Sequence, residues 1–128
     1  MLNVKKKKKL SFVVILSIWL LGELVHFSLA STNNIIKNYG ISFGINGGFF
    51  IILNIIFVFI LTKIWFKNNL LSLGLMLVGG WINLIDRLIF GYVRDYWYLG
   101  RVYNNLADWL IQIGVIIFLS ELWIKKLK

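Results

Sequence analysis

Four apolar segments divide this chain, and each is long enough to cross a lipid bilayer as a helix. They are residues 10–30, 41–62, 70–90 and 105–124, each near the roughly 20 residues that a helical span requires. A helix satisfies its own backbone amides where no water is present. A membrane barrel would need shorter segments of alternating polarity, which this sequence lacks. The sequence therefore predicts one all-α transmembrane domain over residues 1–128, with four helices and short outer loops.

The composition excludes most other classes of protein. Apolar residues make up 59% of the chain and charged residues 15%, whereas soluble domains are nearer half apolar and a quarter charged. A soluble fold of this composition would expose hydrocarbon and aggregate. The chain has no Cys and one His, which excludes a thiol nucleophile and disfavours a metal cluster or a Ser-His-Asp triad. We therefore expect no metal and no other cofactor.

Basic residues are concentrated in three places that alternate with the spans. Ten of the fourteen lie at residues 5–9, 63–67 and 125–128. Because positive charge is retained in the cytoplasm, both termini and the middle connection are predicted to be cytoplasmic. The Lys run at the start of the chain then directs topology, and we expect no nucleic-acid partner. Binding of acidic lipid by this run is the alternative.

A cleaved signal peptide is the alternative interpretation of the first span. Ser28, Leu29 and Ala30 form a small-x-small pattern after an apolar stretch. The stretch is longer than the apolar core of most signal peptides, and its removal would leave three spans. We therefore predict that it stays as a transmembrane helix.

The acidic residues are few, and a charge in hydrocarbon costs about 2.5–3.5 kcal/mol even on the most permissive scale. Glu121 lies about one turn from the Lys-rich tail and is interpreted as a surface residue. The other four lie toward the outer ends of their spans and need an explanation: Glu23, Asp86, Asp95 and Asp108.

Polar residues share one face of each of the last two spans. In span 3, Asn83, Asp86 and Arg87 are separated by spacings that place them on the same side of a helix. In span 4, Asn105 and Asp108 share a face in the same way. The connection between these spans is short, so the two faces belong to antiparallel neighbours.

Asp95, which follows span 3, and Asp108, at the start of span 4, are predicted to meet at one depth. Two carboxylates a few ångströms apart do not both ionise cheaply, so the pair holds one shared proton. The charged member can take a proton from water while the neutral member donates one to a carbonyl oxygen. Such a pair cleaves a peptide bond without Cys, Ser, His or metal.

A structural interpretation of the same residues is also open. Asn105 could cap span 4, with Asp108 in the first turn complementing the helix dipole. Asp86 and Arg87 could form a simple ion pair. Each residue taken singly fits this interpretation, whereas the gathering of the whole set at one depth favours a site.

Several ordered motifs resemble those of bacterial lipoprotein signal peptidase, also called signal peptidase II. Residues 80–88 and 91–96 are similar to the family's G-N-x-x-D-R and G-x-V-x-D-F motifs. Residues 103–108 are similar to its F-N-x-A-D motif, and residues 38–43 resemble N-x-G-x-A/S-F. The resemblance covers nearly the whole chain.

The resemblance implies an intramembrane aspartyl protease of the bacterial cytoplasmic membrane, without metal. Its substrate would be a prolipoprotein whose Cys carries diacylglycerol, and its surroundings membrane phospholipid. The active site would face the extracytoplasmic side, and we expect a monomer. The motifs place the catalytic pair at Asp95 and Asp108. The family's supporting or substrate-binding polar positions fall on Asn38, Asn83, Asp86, Arg87 and Asn105.

Two regions depart from the family pattern. The first span of the family ends in D-Q-x-[ST]-K, whereas here Glu23 replaces the acid and no Lys follows. His26, in the same stretch, is interpreted as a polar residue at a span end rather than a catalyst. The outer loops are short, so we expect little room before span 2 for the family's small extracytoplasmic sheet.

Two other functions stay open on sequence alone. Small multidrug transporters also have four spans and an essential Glu in the first, which Glu23 resembles. Their carboxylate lies nearer mid-membrane, and the outer polar cluster has no role in that scheme. The missing first-span Lys leaves an inactive membrane homologue as the second alternative.

Overall fold

The computed structural model of this protein describes residues 4–40 and 47–127. Its helices there are α1 (Val4–Thr32), α2 (Gly47–Asn68), α3 (Leu71–Phe90) and α4 (Leu106–Lys126). Each is long and apolar enough to cross a membrane, judged by length and composition. The prediction of a helical protein with four spanning segments is confirmed.

The second helix continues beyond the predicted end of its span at residue 62. It reaches Asn68, and within it the Thr62 hydroxyl donates to the carbonyl of Val58 while Lys63 is exposed. Asn69 then adopts φ 57°, a left-handed conformation that Asn tolerates better than most residues. Residues 41–46, which include the predicted start of this span and the last part of the N-x-G-x-A/S-F motif, lie outside the described residues.

Helix α3 is the centre of the bundle and contacts each of the other three helices. Small residues along it, including Gly74 and Gly80, are buried and allow neighbouring backbones to approach. The outward faces of the other helices carry exposed Leu, Ile and Phe side chains, the surface expected in contact with lipid. The buried apolar core comprises Ile15, Val58, Leu61, Trp65, Leu73, Leu77, Val78, Ile82, Leu84 and Ala107.

Two glycines set the close approach of α3 and α4. A Cβ at Gly79 would lie 2.5 Å from the carbonyl oxygen of Ala107, and one at Gly114 would lie 2.7 Å from that of Ser72. Both distances are far below van der Waals contact with rigid backbone. Any side chain at these positions would therefore separate the two helices that carry most of the polar motif residues.

Within the described residues, four short strands lie in the connections between α1 and α2 and between α3 and α4, which corrects the expectation that the loop before span 2 has little room for a sheet. Strand β1 (Ile36–Asn38) pairs antiparallel with β2 (Val93–Asp95), and β3 (Trp97–Leu99) pairs with β4 (Val102–Asn104). Each strand needs only three residues, because β1 pairs with a strand from the connection after α3 and not with a strand of its own loop. Gly91, at φ 79°, ends α3 and turns the chain into β2.

Candidate active site

Asp95 is the last residue of β2, and its side chain is buried, at 1% exposure. Asn38 of β1 donates from Nδ2 to Asp95 Oδ2 at 2.9 Å. The Asn38 side-chain Oδ1 accepts from the Gly40 N–H at 2.8 Å, which fixes the orientation of the side-chain amide. Gly40 has φ 70°, so the N-x-G spacing supplies a turn that directs the Asn38 amino group at Asp95.

Asp108 lies in the first turn of α4, where Asn105 is the N-cap. The Asn105 Oδ1 accepts from the Asp108 N–H at 3.0 Å, and Asp108 Oδ2 accepts from the Asn105 N–H at 3.2 Å. This reciprocal capping box satisfies two amides that have no partner within the helix. The expectation that Asn105 caps α4 is therefore confirmed. Asn105 and Asp108 also make the contacts described next.

Asn105 and Asn83 connect the two aspartates. Asn105 Nδ2 donates to Asp95 Oδ1 at 2.8 Å and to Asn83 Oδ1 at 3.2 Å. Asn83 Nδ2 donates in turn to Asp108 Oδ1 at 3.1 Å. Each of the four carboxylate oxygens thus accepts one hydrogen bond from an asparagine, which leaves a second lone pair on each for another partner.

The environment of Asp95 favours its protonated form. Burial raises the pKa of this carboxyl above its ordinary value, and the nearby charge of Asp108 acts in the same direction. The hydrogen bonds from Asn38 and Asn105 act in the opposite direction and are the smaller effect. A carboxyl of this kind can carry a proton under conditions where an exposed aspartate has lost it.

Asp86 belongs to a separate buried cluster and does not pair with Arg87. Arg94 holds it with the guanidinium, at 2.7 Å from Nη2 to Oδ1, and with its backbone N–H at 2.9 Å from Oδ2. His26 Nε2 lies 2.9 Å from the same Oδ2. Asp86 therefore anchors β2 and α1 to α3, and its contact with the aspartate pair is indirect.

Arg87 extends along the other side of α3 toward α2. Its Nη1 donates to Asn54 Oδ1 at 3.0 Å, and Asn54 Nδ2 donates to the Gly80 carbonyl at 3.3 Å. Arg87 lies within the electrostatic influence of Asp108 and Asp95. The possible ion pair of Asp86 with Arg87 is absent from the described residues, because each of the two side chains has another partner.

Four residues of the polar region were not predicted as site residues: His26, Asn54, Arg94 and Tyr96. His26 is fully buried, and Asn54 sits inside an apolar helix. A polar side chain inside a membrane span itself indicates function. That criterion could have identified His26 and Asn54 as site residues. Arg94 and Tyr96 lie in a connection rich in charged and aromatic residues, where no spacing distinguishes them.

Glu23 is half-buried on α1 and accepts a hydrogen bond from the Trp19 indole N–H at 3.2 Å. This partner is one turn away on the same helix. The contact gives Glu23 a local structural role and provides no link to the aspartate pair.

Four spanning helices with two carboxylates held together at the end of an antiparallel helix pair are typical of an intramembrane aspartic protease. Comparison with known proteins agrees with this class. The model of the signal peptidase (SPase) II family matches residues 5–124. The chain belongs to the signal peptidase II family, an aspartic protease family acting on lipoprotein precursors.

Curated relatives support the assignment, and a solved structure shows the same fold. A lipoprotein signal peptidase of Thermodesulfovibrio yellowstonii is 34% identical over 97 residues, covering 67% of this chain and 66% of the relative. One of Buchnera aphidicola is 33% identical over 140 residues, covering 94% and 78%. A solved bacterial membrane enzyme is 23% identical with a TM-score of 0.74, covering 92% of this chain and 90% of its own.

Proposed function

We propose that this chain is an intramembrane aspartyl endopeptidase that cuts diacylglyceryl-modified prolipoproteins just before the lipidated Cys. One observation carries the proposal: Asn105 contacts Asp95 with its side chain and Asp108 with its backbone, so the two carboxyls are held as a pair. The relatives named above as lipoprotein signal peptidases indicate the substrate class.

The reaction uses the pair as an acid and a base. Asp95 is assigned the acid, as its raised pKa favours, and Asp108 the base. Asp108 takes a proton from water as the water oxygen attacks the peptide carbonyl carbon, and Asp95 gives its proton to the carbonyl oxygen. The C–N bond then breaks as Asp108 passes its proton to the Cys nitrogen and Asp95 recovers one from the tetrahedral hydroxyl. The products are a carboxylic acid and a free amine, and the pair returns to its initial state.

The asparagines keep the pair in place during these proton transfers. Each carboxylate oxygen keeps one amide donor, so its remaining lone pair is directed at water or substrate. Positions held by neighbouring hydrogen bonds need no reorganisation when charge moves. Asn38, Asn83 and Asn105 are therefore proposed to support the pair, while Asp86 and Arg94 fix the strand that presents Asp95.

We propose that the peptide enters through a groove that reaches the pair by way of Asn83, which lines the groove and donates to Asp108. The groove has a volume of about 240 Å³ and opens between α2, α3 and α4. Arg87, Asn54 and Asn83 place polar groups in a wall that is otherwise apolar, which suits a peptide carbonyl arriving within a membrane-embedded chain. The lining consists of Phe50, Leu53, Asn54, Phe57, Gly80, Asn83, Arg87 and Ile111.

The charge distribution supports a location in the cytoplasmic membrane of a bacterium, with both termini inside. The Lys-rich stretches then face the cytoplasm, and the aspartate pair lies at the extracytoplasmic end of α3 and α4. We propose that the protein acts as a monomer surrounded by phospholipid. The pair is built from one chain, so no second copy is needed to complete it.

The test is cleavage of a purified diacylglyceryl-modified prolipoprotein by the protein in lipid or detergent. Wild type should cut before the Cys in the presence of EDTA. Asp95→Asn and Asp108→Asn should each lower the rate by about 10²–10⁴-fold, the range for loss of an acid or base. Tyr103→Phe, an exposed change on β4, is the matched control and should cut normally. Cleavage at the wild-type rate by either aspartate variant would overturn the assignment.

A second assay addresses the alternatives from the sequence. Proton-driven dye export that depends on Glu23, with no peptide cleavage, would indicate a transporter. Correctly folded wild type that cuts no lipidated precursor and exports nothing would indicate an inactive homologue.

A further inference from the structure

A buried chain of hydrogen bonds runs from α1 to the first turn of α4, apart from the bonds that hold the aspartate pair. His26 Nε2 lies 2.9 Å from Asp86 Oδ2, and His26 Nδ1 lies 3.0 Å from the Tyr96 hydroxyl. The same hydroxyl accepts from the Leu106 N–H at 2.9 Å. The chain therefore ends on an amide two residues before Asp108, and neither His26 nor Tyr96 has a role in the reaction described above.

One arrangement of hydrogens gives every member of this chain a partner. In it the Leu106 N–H donates to the Tyr96 oxygen, the Tyr96 hydroxyl donates to His26 Nδ1, and His26 Nε2 donates to Asp86 Oδ2. Burial raises the pKa of the Tyr96 hydroxyl to about 12, so this hydroxyl keeps its proton across the working range of pH.

The far end of the chain is rigidly anchored. Asp86 is held by the Arg94 guanidinium and by the Arg94 N–H, and both side chains are buried. His26 is 0% exposed, so its ring has no water to replace a lost partner. A displaced imidazole would leave the Tyr96 hydroxyl without its acceptor.

We infer that His26 is a positioning residue: through Tyr96 it holds the first turn of α4, and with it Asp108, in register with Asp95. The first amides of a helix have no partner within the helix. The Asp108 amide is capped by Asn105, and the Leu106 amide is capped by Tyr96. This inference rests on the proposed function for its kinetic consequence, while its structural consequence is measurable without any activity.

Two substitutions separate the two nitrogens of His26. In His26→Gln the side-chain amide nitrogen falls near the place of Nε2, so the contact with Asp86 is kept and that with Tyr96 is lost. In His26→Asn the amide oxygen falls near the place of Nδ1, so the contact with Tyr96 is kept and that with Asp86 is lost. We expect His26→Gln to lower kcat roughly tenfold with little change in KM, the loss of about one hydrogen bond in the transition state. His26→Asn should retain more of the wild-type kcat.

Tyr96→Phe removes the other half of the link and should lower kcat to a similar extent. The double variant His26→Gln with Tyr96→Phe should be no worse than Tyr96→Phe alone, because both changes break the same chain. Tyr103→Phe is the matched control for loss of a hydroxyl.

Hydrogen exchange at the Leu106 amide gives the second measurement. It should be faster in His26→Gln and Tyr96→Phe, and close to wild type in His26→Asn.

The outcomes distinguish this inference from the proposed function. Wild-type kcat and wild-type exchange at Leu106 in His26→Gln would overturn the inference and leave the peptidase assignment intact. A greater loss of kcat in His26→Asn than in His26→Gln would also overturn it, because the Asp86 contact would then be the one that matters. If wild type cuts no lipidated precursor, the proposed function fails and the Leu106 exchange rates alone decide the inference.

Discussion

Asn105 donates from Nδ2 to Asp95 Oδ1 across 2.8 Å. This contact joins the strand that carries one aspartate to the helix that carries the other. The same residue is the N-cap of α4, so a local feature of helix initiation and a tertiary contact of the site share one side chain. The position of Asp108 relative to Asp95 is therefore coupled to the start of the helix.

The two roles of Asn105 can be separated by substitution. Asn105→Ser keeps a hydroxyl able to cap the helix but too short to reach Asp95. Asn105→Ala loses both roles, at a cost of about 0.5–2 kcal/mol for the missing cap. We expect both variants to lose most of their cleavage activity. Only Asn105→Ala should show a clear fall in melting temperature. If the melting temperature and the cleavage rate fall by the same amounts in Asn105→Ser and Asn105→Ala, the two roles of Asn105 are not separable in this way.

The raised pKa of Asp95 predicts a dependence of stability on pH. Between the ordinary pKa of Asp, about 3.9, and the raised folded value, the folded protein binds more protons than the unfolded chain. The stabilisation is complete below the ordinary pKa and is lost as pH rises through that window. The Asp95→Asn variant does not lose this stabilisation as pH rises. The difference in melting temperature, variant minus wild type, should therefore become more positive between about pH 4 and pH 7. Tyr103→Phe should follow the wild-type curve, and a parallel curve for Asp95→Asn would refute the prediction.

The ion pair of Arg94 with Asp86 should be essential for stability. Arg94→Ala leaves a carboxylate at 1% exposure without its cation, and loss of one partner from a buried pair costs about 3–5 kcal/mol. Arg94→Lys should rescue little, because an ammonium cannot reproduce the contacts from Nε and Nη2. Thermal unfolding in detergent measures the effect. Arg101→Ala, an exposed change, is the control and should unfold as wild type does.

The close contact of α3 with α4 predicts sensitivity at Gly79. A methyl group there meets the Ala107 carbonyl at 2.5 Å, so Gly79→Ala must separate the helices, at about 1–3 kcal/mol for overpacking. Asn83 and Asp108 lie on the surfaces that would separate. We therefore expect a large loss of cleavage rate and a smaller loss of thermal stability. Gly22→Ala is the matched control: its methyl group would meet the end of the Ile82 side chain at 3.1 Å and the Val78 side chain at 3.9 Å, and no backbone atom is among these neighbours. Equal loss of activity in the two variants would argue against this geometry.

The bilayer-spanning helices, and the gathering of Asp95 and Asp108 at one end of α3 and α4, were predictable because both depend on local properties of the chain; their catalytic pairing stays a prediction. Hydropathy over about 20 residues identifies a span, and spacings of three and four residues put Asn83 and Asp86 on one helical side. A short connection makes consecutive spans neighbours, which brings Asp95 and Asp108 to the same end. Asn105 as a helix cap follows from the residue type and its distance to Asp108.

Only the tertiary structure decided which polar groups meet across distant parts of the chain. His26 and Asp86 are separated by 60 residues, and Asn38 and Asp95 by 57. No periodicity encodes such contacts, because they depend on how α1 rotates about its axis and on the pairing of β1 with β2. The sequence alone determined that this chain spans a membrane four times and carries two aspartates at one end. Packing determined that the acid before Arg87 binds Arg94 and His26, since a buried carboxylate is most stable where the nearest cation and donors can surround it.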